Sequence, residues 1–379
     1  MDPERSDRDY HLRESLRSWT KRNPLDPATD QENLDREAVS VVRRLGEESF
    51  MAYAVPRSYG GIREIVQAQD LCVIREELAY FAALADVMFG VQALATQPII
   101  IAGTDDQKKK YLPPLARGET IGAFALTEPE AGSDASAISL RAQKVSGGYS
   151  LTGNKRFISN AGIAQTYVVF ATTMPEAKAK GISAFIIQAD APGFDVAERT
   201  RLLSPHPIGV LGFDDCFVSQ NGLLGTEGTG LKLALQTLDM LRCTVAASAV
   251  GFARRALAEA ITYSHSRQQF GRAIGEFQGI QFKLAEMAAD LEASRLLVYQ
   301  AATVHDQRES GLEMKSSIAK LFATEAAQRI VDQALQIHGG NGVVAGHIME
   351  RLYRDVRALR IYEGTSEIQK LLIARQLLK

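Results

Sequence analysis

The apolar residues of this chain follow a helical period up to about residue 117, a strand period from about Ile121 to Val218, and a helical period again after Gly228. In the first stretch, Leu71-Cys72-Val73-Ile74-Arg75-Glu76-Glu77-Leu78-Ala79-Tyr80 has helical spacing, and Pro98 opens a second apolar run ahead of Asp105-Asp106-Gln107-Lys108. Pro56-Arg57-Ser58-Tyr59-Gly60-Gly61 is a turn between the earliest helices. In the second stretch, residues 167–171 and 182–187 are rich in branched and aromatic side chains, and Gly147-Gly148 predicts a hairpin joining residues 138–142 to 149–152. In the third, Phe277, Ile280, Leu284, Met287 and Leu291 recur at helical spacing and predict one buried face of a helix bundle. Helix, then sheet, then helix, without βα alternation, predicts an α+β, mostly α fold in segregated layers and not a doubly wound sheet.

The length of 379 residues, 46% of them hydrophobic, exceeds what one core usually serves, so roughly two or three domains are expected. A formal net charge of -2 speaks against a global pull toward nucleic acid, while a local basic groove for a phosphate-bearing ligand remains compatible with it. Three widely spaced cysteines, Cys72, Cys216 and Cys243, form neither a disulfide framework nor a CxxC site, which fits a reducing compartment. The charged start Met1-Asp2-Pro3-Glu4-Arg5-Ser6-Asp7-Arg8 is unlike a secretory leader, and no stretch approaches the ~18 uninterrupted apolar residues of a membrane span, so a cytoplasmic protein is expected. His11, His206, His265, His305, His338 and His347 lack paired ligand spacing, and no metal is expected.

Three segments carry candidate chemistry. Gly340-Asn341-Gly342-Val343-Val344-Ala345 satisfies the loose GxGxxA dinucleotide fingerprint, but residues 331–337 before it read as a helix end where that fingerprint needs a strand. These glycines are expected to cap the helix or to admit another backbone or a ligand. Leu126-Thr127-Glu128-Pro129-Glu130-Ala131-Gly132-Ser133-Asp134 ends an apparent strand and suits either a solvated connection or a loop offering amides and hydroxyls to a flavin or a pyrophosphate. In Arg360-Ile361-Tyr362-Glu363-Gly364-Thr365-Ser366-Glu367-Ile368, a carboxylate lies between an aromatic residue and a glycine just before a C-terminal helix, with Ser366 as the expected cap and Thr365 as its rival. By itself Glu363 reads either as a helix-flanking acid favoured by the dipole or as a desolvated base suited to a carbon acid.

In order along nearly the whole chain, residues 126–134, Arg267-Gln268-Gln269-Phe270-Gly271, Gln336-Ile337-His338-Gly339-Gly340-Asn341-Gly342 through Arg351-Leu352-Tyr353-Arg354-Asp355, and Ile361-Tyr362-Glu363-Gly364-Thr365 resemble motifs of the acyl-CoA dehydrogenase family. The resemblance implies an N-terminal helical domain over 1–117, a middle β-barrel over 118–225 and a C-terminal four-helix bundle over 226–379. It implies FAD as cofactor. The backbone around Leu126 and Thr127 and the side chains of Phe157 and Ser159 would face the flavin ring, the latter two standing where relatives usually have Trp-x-Thr. Arg267, Phe270, Gln278, Gln336 and Gly340, with Thr365 and Glu367, would hold the rest of FAD, partly across a subunit boundary. Gln269 stands where relatives often carry Thr.

On the substrate side the resemblance implies Ser133, which also borders the cofactor, together with Asp239, Arg242 and Gly364. The family places its base either before the C-terminal Gly-Thr pair or immediately before the arginine of the first bundle helix; the second position is Leu241 here, which leaves Glu363 as the implied base. The implied reaction is α,β-dehydrogenation of an acyl-CoA to a 2-enoyl-CoA, Glu363 taking the α proton and FAD the β hydride. The carbonyl would be polarised by the Glu363 amide and a ribityl hydroxyl. An acyl-carrier-protein dehydrogenase or a flavin oxidase is the alternative, and a non-catalytic scaffold is a third reading that the retained Glu363 disfavours. Implied partners are the thioester, electron transfer flavoprotein and further copies of the chain in a homotetramer or homodimer, with neither nucleic acid nor membrane. Residues 89–98, including Ala93 and Ala95, are expected beside the acyl pocket. Leu203-Ser204-Pro205-His206-Pro207-Ile208-Gly209 and Val218-Ser219-Gln220-Asn221 depart from common family sequences and suggest an unusual acyl group or carrier.

Overall fold

The computed structural model describes residues 3–25 and 31–378, which form ten α-helices and two β-sheets. The helices are α1 (Pro3–Arg22), α2 (Gln31–Glu47), α3 (Ala68–Phe81), α4 (Ala83–Ala102), α5 (Asp105–Ala116), α6 (Gly230–Ser266), α7 (Gln278–Asp306), α8 (Leu312–His338), α9 (Ile348–Arg357) and α10 (Ser366–Leu377). The period changes of the sequence thus correspond to a helical start, a central sheet and a helical end. Pro98, ahead of the apolar residues 99–102, lies inside α4, buried. By length and mean hydropathy α4 is apolar enough to cross a membrane, although Asp86 and three further polar residues interrupt its apolar run; 67% of its most apolar window is buried within the protein.

The chain divides into two compact units. The first takes residues 3–25, 68–86 and 239–378. Here α7 packs along α8, α8 also packs on α9 and α10, and α3 packs on α1 and α7. The expected buried stripe of α7 is only partly buried: Met287 is covered, whereas Phe277, Ile280, Leu284 and Leu291 are half-buried. A cluster of ion pairs lies within this unit. Glu76 and Glu77 of α3 are buried and receive Arg13 (2.9 and 2.6 Å) from α1 and Arg254 (2.5 and 2.7 Å) from α6. Burial alone would raise both carboxyls, but the surrounding guanidinium groups outweigh it, holding Glu76 below its ordinary range and Glu77 near about 2.

The second unit takes residues 31–67 and 87–238. Its strands are β1 (Gly122–Ala125), β2 (Arg141–Val145), β3 (Gly148–Ser159), β4 (Thr166–Thr172), β5 (Ile182–Gln188), β6 (Phe194–Arg199), β7 (Ile208–Ser219) and β8 (Leu223–Leu224). They are ordered β6-β7-β3-β2-β4-β5-β8, with β1 parallel to β4. The expected β-barrel is not formed: β6 pairs only with β7 and β8 only with β5, so the sheet stays open. Two short elements explain this. β8 has just two residues to offer a ladder, and β6 carries Asp195, Glu198 and Arg199 along its edge, where charge discourages further pairing.

The hairpin is also displaced from the expected register. β2 starts at Arg141, Val145 pairs with Gly148, and Gly147 takes the left-handed φ of +79° that the turn needs. Residues 138–140 are not strand because the Glu128 carboxylate takes two of their amides, Ser139 at 2.6 Å and Leu140 at 2.9 Å, out of the ladder. Within the same unit, Leu126, Val168, Phe170, Ile182, Ala184 and Ile186 share a core with Ile99 and Leu112 of the helices.

Candidate functional site

Glu363 precedes α10 on a strained turn. Its φ is +53° and that of Gly364 is +91°, two successive left-handed residues that glycine tolerates and glutamate does not readily adopt. A Cβ on residue 364 would lie 2.6 Å from Gln369 Nε2. The turn is held through its carbonyls: Gln369 Nε2 donates to the oxygens of Glu363 (3.2 Å) and Gly364 (2.9 Å), and Lys320 Nζ from α8 donates to Gly364 O at 2.7 Å. Thr365, not Ser366, caps α10, its hydroxyl accepting the Ile368 amide at 3.3 Å. Ser366 lies one residue inside the helix and donates to Glu325 at 2.6 Å, so its side chain is turned away from the cap.

The Glu363 side chain is half-buried, but its Oε2 is shielded and has no hydrogen-bond partner. Charged groups of four helices surround it: Arg75 of α3, Asp86 of α4, Arg242 of α6 and Lys320 of α8. Loss of solvation pushes the Glu363 carboxyl above its ordinary value, and the three cations only partly offset this. Asp86 takes both Nε (2.8 Å) and NH2 (3.1 Å) of Arg75, Ser248 donates to Asp86 at 2.8 Å, and Arg75 NH1 donates to Thr244 Oγ1 at 3.1 Å. The Arg75 guanidinium also acts on the Tyr362 hydroxyl, next in sequence to the carboxylate, favouring its ionised form against burial. Arg242 is buried, bonds Asp239 and leaves its Nε without a partner.

Glu363, Gly364, Asp239 and Arg242 are therefore grouped in the first unit. Leu241, the alternative base position, is a buried apolar residue. Sequence reasoning missed Arg75, Asp86, Lys320 and Gln369. The available signal was a lysine inside the apolar run Ile318-Ala319-Lys320-Leu321-Phe322-Ala323 and an arginine inside an apolar stretch of α3.

The first unit also carries an exposed aromatic and glycine-rich surface. Phe270, at the tip of the small hairpin β9 (Gln268–Gln269) and β10 (Arg272–Ala273), is 94% exposed with φ +52°, and Arg267 and Gln278 beside it are exposed. At the end of α8, Gln336 and Gly340 are exposed, and Tyr263 of α6 stacks on His338 at 4.4 Å and receives Asn341 Nδ2 at 3.2 Å, bringing the ends of α6 and α8 together. Residues 339–343 form a 3-10 turn directly after α8, with no strand before them, so the GxGxxA match is a helix ending. A Cβ on Gly340 would meet nothing within 4 Å, which leaves this backbone open to close approach. Thr365 is half-buried and Glu367 is exposed beside it.

In the second unit, Lys155 Nζ donates to Leu126 O (2.9 Å) and to Glu128 (2.7 Å), and the Arg156 amide donates to Thr127 O (2.9 Å). Both carbonyls of the 126–127 loop are thereby engaged by the fold, leaving the Thr127 hydroxyl outside those contacts. Phe157 is 49% exposed at φ +55°, and Ser159 is 3.0 Å from His206 Nε2. Burial pushes His206 down to about 4, which favours the neutral ring. Ser133 is exposed.

Three family models match the chain in order: the acyl-CoA dehydrogenase N-terminal domain over residues 6–119, the middle domain over 123–216 and the C-terminal domain over 228–378. The chain is 40% identical over 370 residues to an acyl-CoA dehydrogenase of Bacillus subtilis (strain 168), with 97% of each covered. It is similar in fold to butyryl-CoA dehydrogenase from Megasphaera elsdenii, with a TM-score of 0.91, 34% identity and 98% of each chain covered. Its likeness to the prolyl acyl carrier protein oxidase AnaB has a TM-score of 0.90, 30% identity and 98% coverage of each. Likeness over helices and sheet together makes the protein an oxidoreductase. The chain belongs to the acyl-CoA dehydrogenase family, whose members carry out FAD-dependent dehydrogenation. The residues present in the first unit fit that cofactor: the open backbone at Gly340, the exposed Arg267 and the exposed aromatic face of Phe270 suit an anionic pyrophosphate and flat rings.

Proposed function

We propose that the protein dehydrogenates an acyl-CoA thioester to its 2-enoyl-CoA, with Glu363 as the base that takes the α proton. The observation that carries this reading is the shielded Glu363 Oε2, which has no hydrogen-bond partner although cations surround it. A carboxylate so desolvated is a stronger base toward a weakly acidic C–H, and positioned general bases of this kind contribute roughly 10²–10⁴-fold in rate. FAD, when bound, supplies the acceptor for the hydride leaving the β carbon. The Glu363 amide would polarise the thioester carbonyl, a type of donor worth about 3 kcal/mol in a water-excluded site. Arg267, Phe270, Gln278, Gln336, Gly340, Thr365 and Glu367 would bind FAD; Leu126, Thr127, Phe157 and Ser159 would meet its ring; Ser133, Asp239, Arg242 and Gly364 would border the thioester.

We extend the reading to assembly and acceptor: exposed Phe282 and Leu296 on α7 and Leu371 and Leu377 on α10 support association into a homodimer or homotetramer, with electron transfer flavoprotein as electron acceptor. The four-helix bundle of the C-terminal part would be α6, α7, α8 and α10, in a chain partitioned as 1–117, 118–225 and 226–379.

The test is Glu363→Gln. The variant should keep FAD and bind acyl-CoA, yet fail to bleach its flavin on anaerobic titration with a panel of acyl-CoAs that bleach the parent; normal bleaching would sink the assignment. A second reading keeps the same base but takes a carrier-protein thioester and oxygen. It is supported by the likeness to a prolyl acyl carrier protein oxidase and by the unusual stretch around His206, which lies against Ser159. Oxygen consumption during turnover, against a requirement for an added electron acceptor, separates the two.

A further inference from the structure

Lys320 is completely buried in the middle of α8. An ammonium in such a place is costly, and an apolar side chain of the same length would fill the space without that cost. What the charge does there is visible from its contact: Nζ donates 2.7 Å to the carbonyl of Gly364, the residue after Glu363. Gln369 Nε2 grips the same oxygen from α10 and the Glu363 oxygen beside it. Each left-handed non-glycine residue costs about 1–3 kcal/mol and persists only where surrounding contacts fix it. These two donors supply such contacts from both sides of the turn.

We propose that Lys320 is a positioning residue for the proton-transfer step: it holds the strained Glu363–Gly364 turn so that the carboxylate points at the substrate, and its ammonium adds a positive charge that favours the carboxylate over the carboxylic acid. The proposal rests on Glu363 being the base. Lys320 shares the work of holding the turn with Gln369, but of these two only Lys320 brings charge. The other charged groups facing Glu363 are Arg75, Arg242 and Asp86, with Glu325 and Glu367 also near Lys320. Burial brings Lys320 down to about 8, so the ammonium prevails at neutral pH.

Lys320→Met and Gln369→Leu separate geometry from charge. Each FAD-loaded variant is followed by anaerobic flavin bleaching with the acyl-CoA that bleaches the parent fastest, and by infrared titration of the Glu363 carboxyl, isolated as the difference from the same background carrying Glu363→Gln. Lys320→Met should lose about 10–100-fold in bleaching rate, the scale of a small misplacement of a reacting group, with thioester affinity and FAD content unchanged and the carboxyl midpoint moved to higher pH. Gln369→Leu should lose rate without moving the midpoint. An unchanged rate or an unmoved midpoint in Lys320→Met overturns the proposal, as does an equal midpoint shift in Gln369→Leu. Should Lys320→Met not take up FAD, Lys320→Arg is measured instead: it keeps the charge and changes the reach, so its rate should fall while its midpoint stays, and an unchanged rate overturns the proposal. Normal bleaching by Glu363→Gln would remove the base assignment itself, an outcome distinct from any result at Lys320.

Discussion

Glu363 illustrates how little a residue's neighbours in sequence say about its chemistry. Tyr362 and Gly364 fit a helix-flanking acid as well as a base. What separates the two is the shielded Oε2 and the charged groups drawn from four helices around it. The motif made the residue findable; the helices that converge on it set its ionisation. Loss of solvation favours the protonated form and raises the carboxyl, and a base must be ionised to act, so the rate should fall as pH drops through a midpoint above the ordinary 4.5. A kcat/KM profile checks this, and an acidic limb at or below 4.5 would contradict it. The same reasoning explains why the Arg75–Asp86 pair was not legible: an arginine in an apolar stretch flags Arg75 alone, and only folding brings Asp86 to it.

Elements were legible where the sequence carries a strong period, and shifted where a distant group competes for the backbone. α3 was expected from its apolar spacing, but a residue far away in sequence takes part in fixing its start. Asp306, at the last residue of α7, accepts the amides of Ala68 (2.6 Å) and Gln69 (3.1 Å) and so satisfies two donors of the first turn. Asp306→Ala should therefore cost about 1–2 kcal/mol in urea unfolding, the scale of a lost N-cap, although residue 306 is far from α3 in sequence; no loss of stability would show that the cap is dispensable. The displaced hairpin has the same origin, since Glu128 captures the amides of Ser139 and Leu140 and leaves β2 to begin at Arg141. Ser366 was the expected cap and Thr365 its rival; Thr365 caps the helix, and Glu325 accepts the Ser366 hydroxyl instead.

At the scale of the whole molecule, each compact unit contains a buried ion pair or cluster: Glu128 with Lys155 in one, Glu76 and Glu77 with arginines from α1 and α6 in the other. Arginines from separate segments make the second cluster a sensor of global folding. Glu77 is held near 2 in the folded chain against about 4.5 when free, so its contribution, on the order of 3 kcal/mol, is fully present above about 4.5 and disappears as pH falls toward 2. Thermal unfolding should show Tm dropping across that window, and Glu77→Gln should flatten this part of the curve while lowering Tm at neutral pH. A curve of unchanged steepness in the variant would mean that other carboxylates govern acid unfolding.

By itself the sequence determined the succession of helix, sheet and helix, the family, the cofactor class and the candidate base, because hydrophobic period and contiguous motifs are properties of neighbouring residues. Tertiary structure decided that the sheet stays open, that Thr365 caps α10, and that Arg75, Asp86, Arg242 and Lys320 meet around Glu363. Those outcomes depend on contacts between residues far apart in the chain, where burial and charge act through distance in space and leave no period to read.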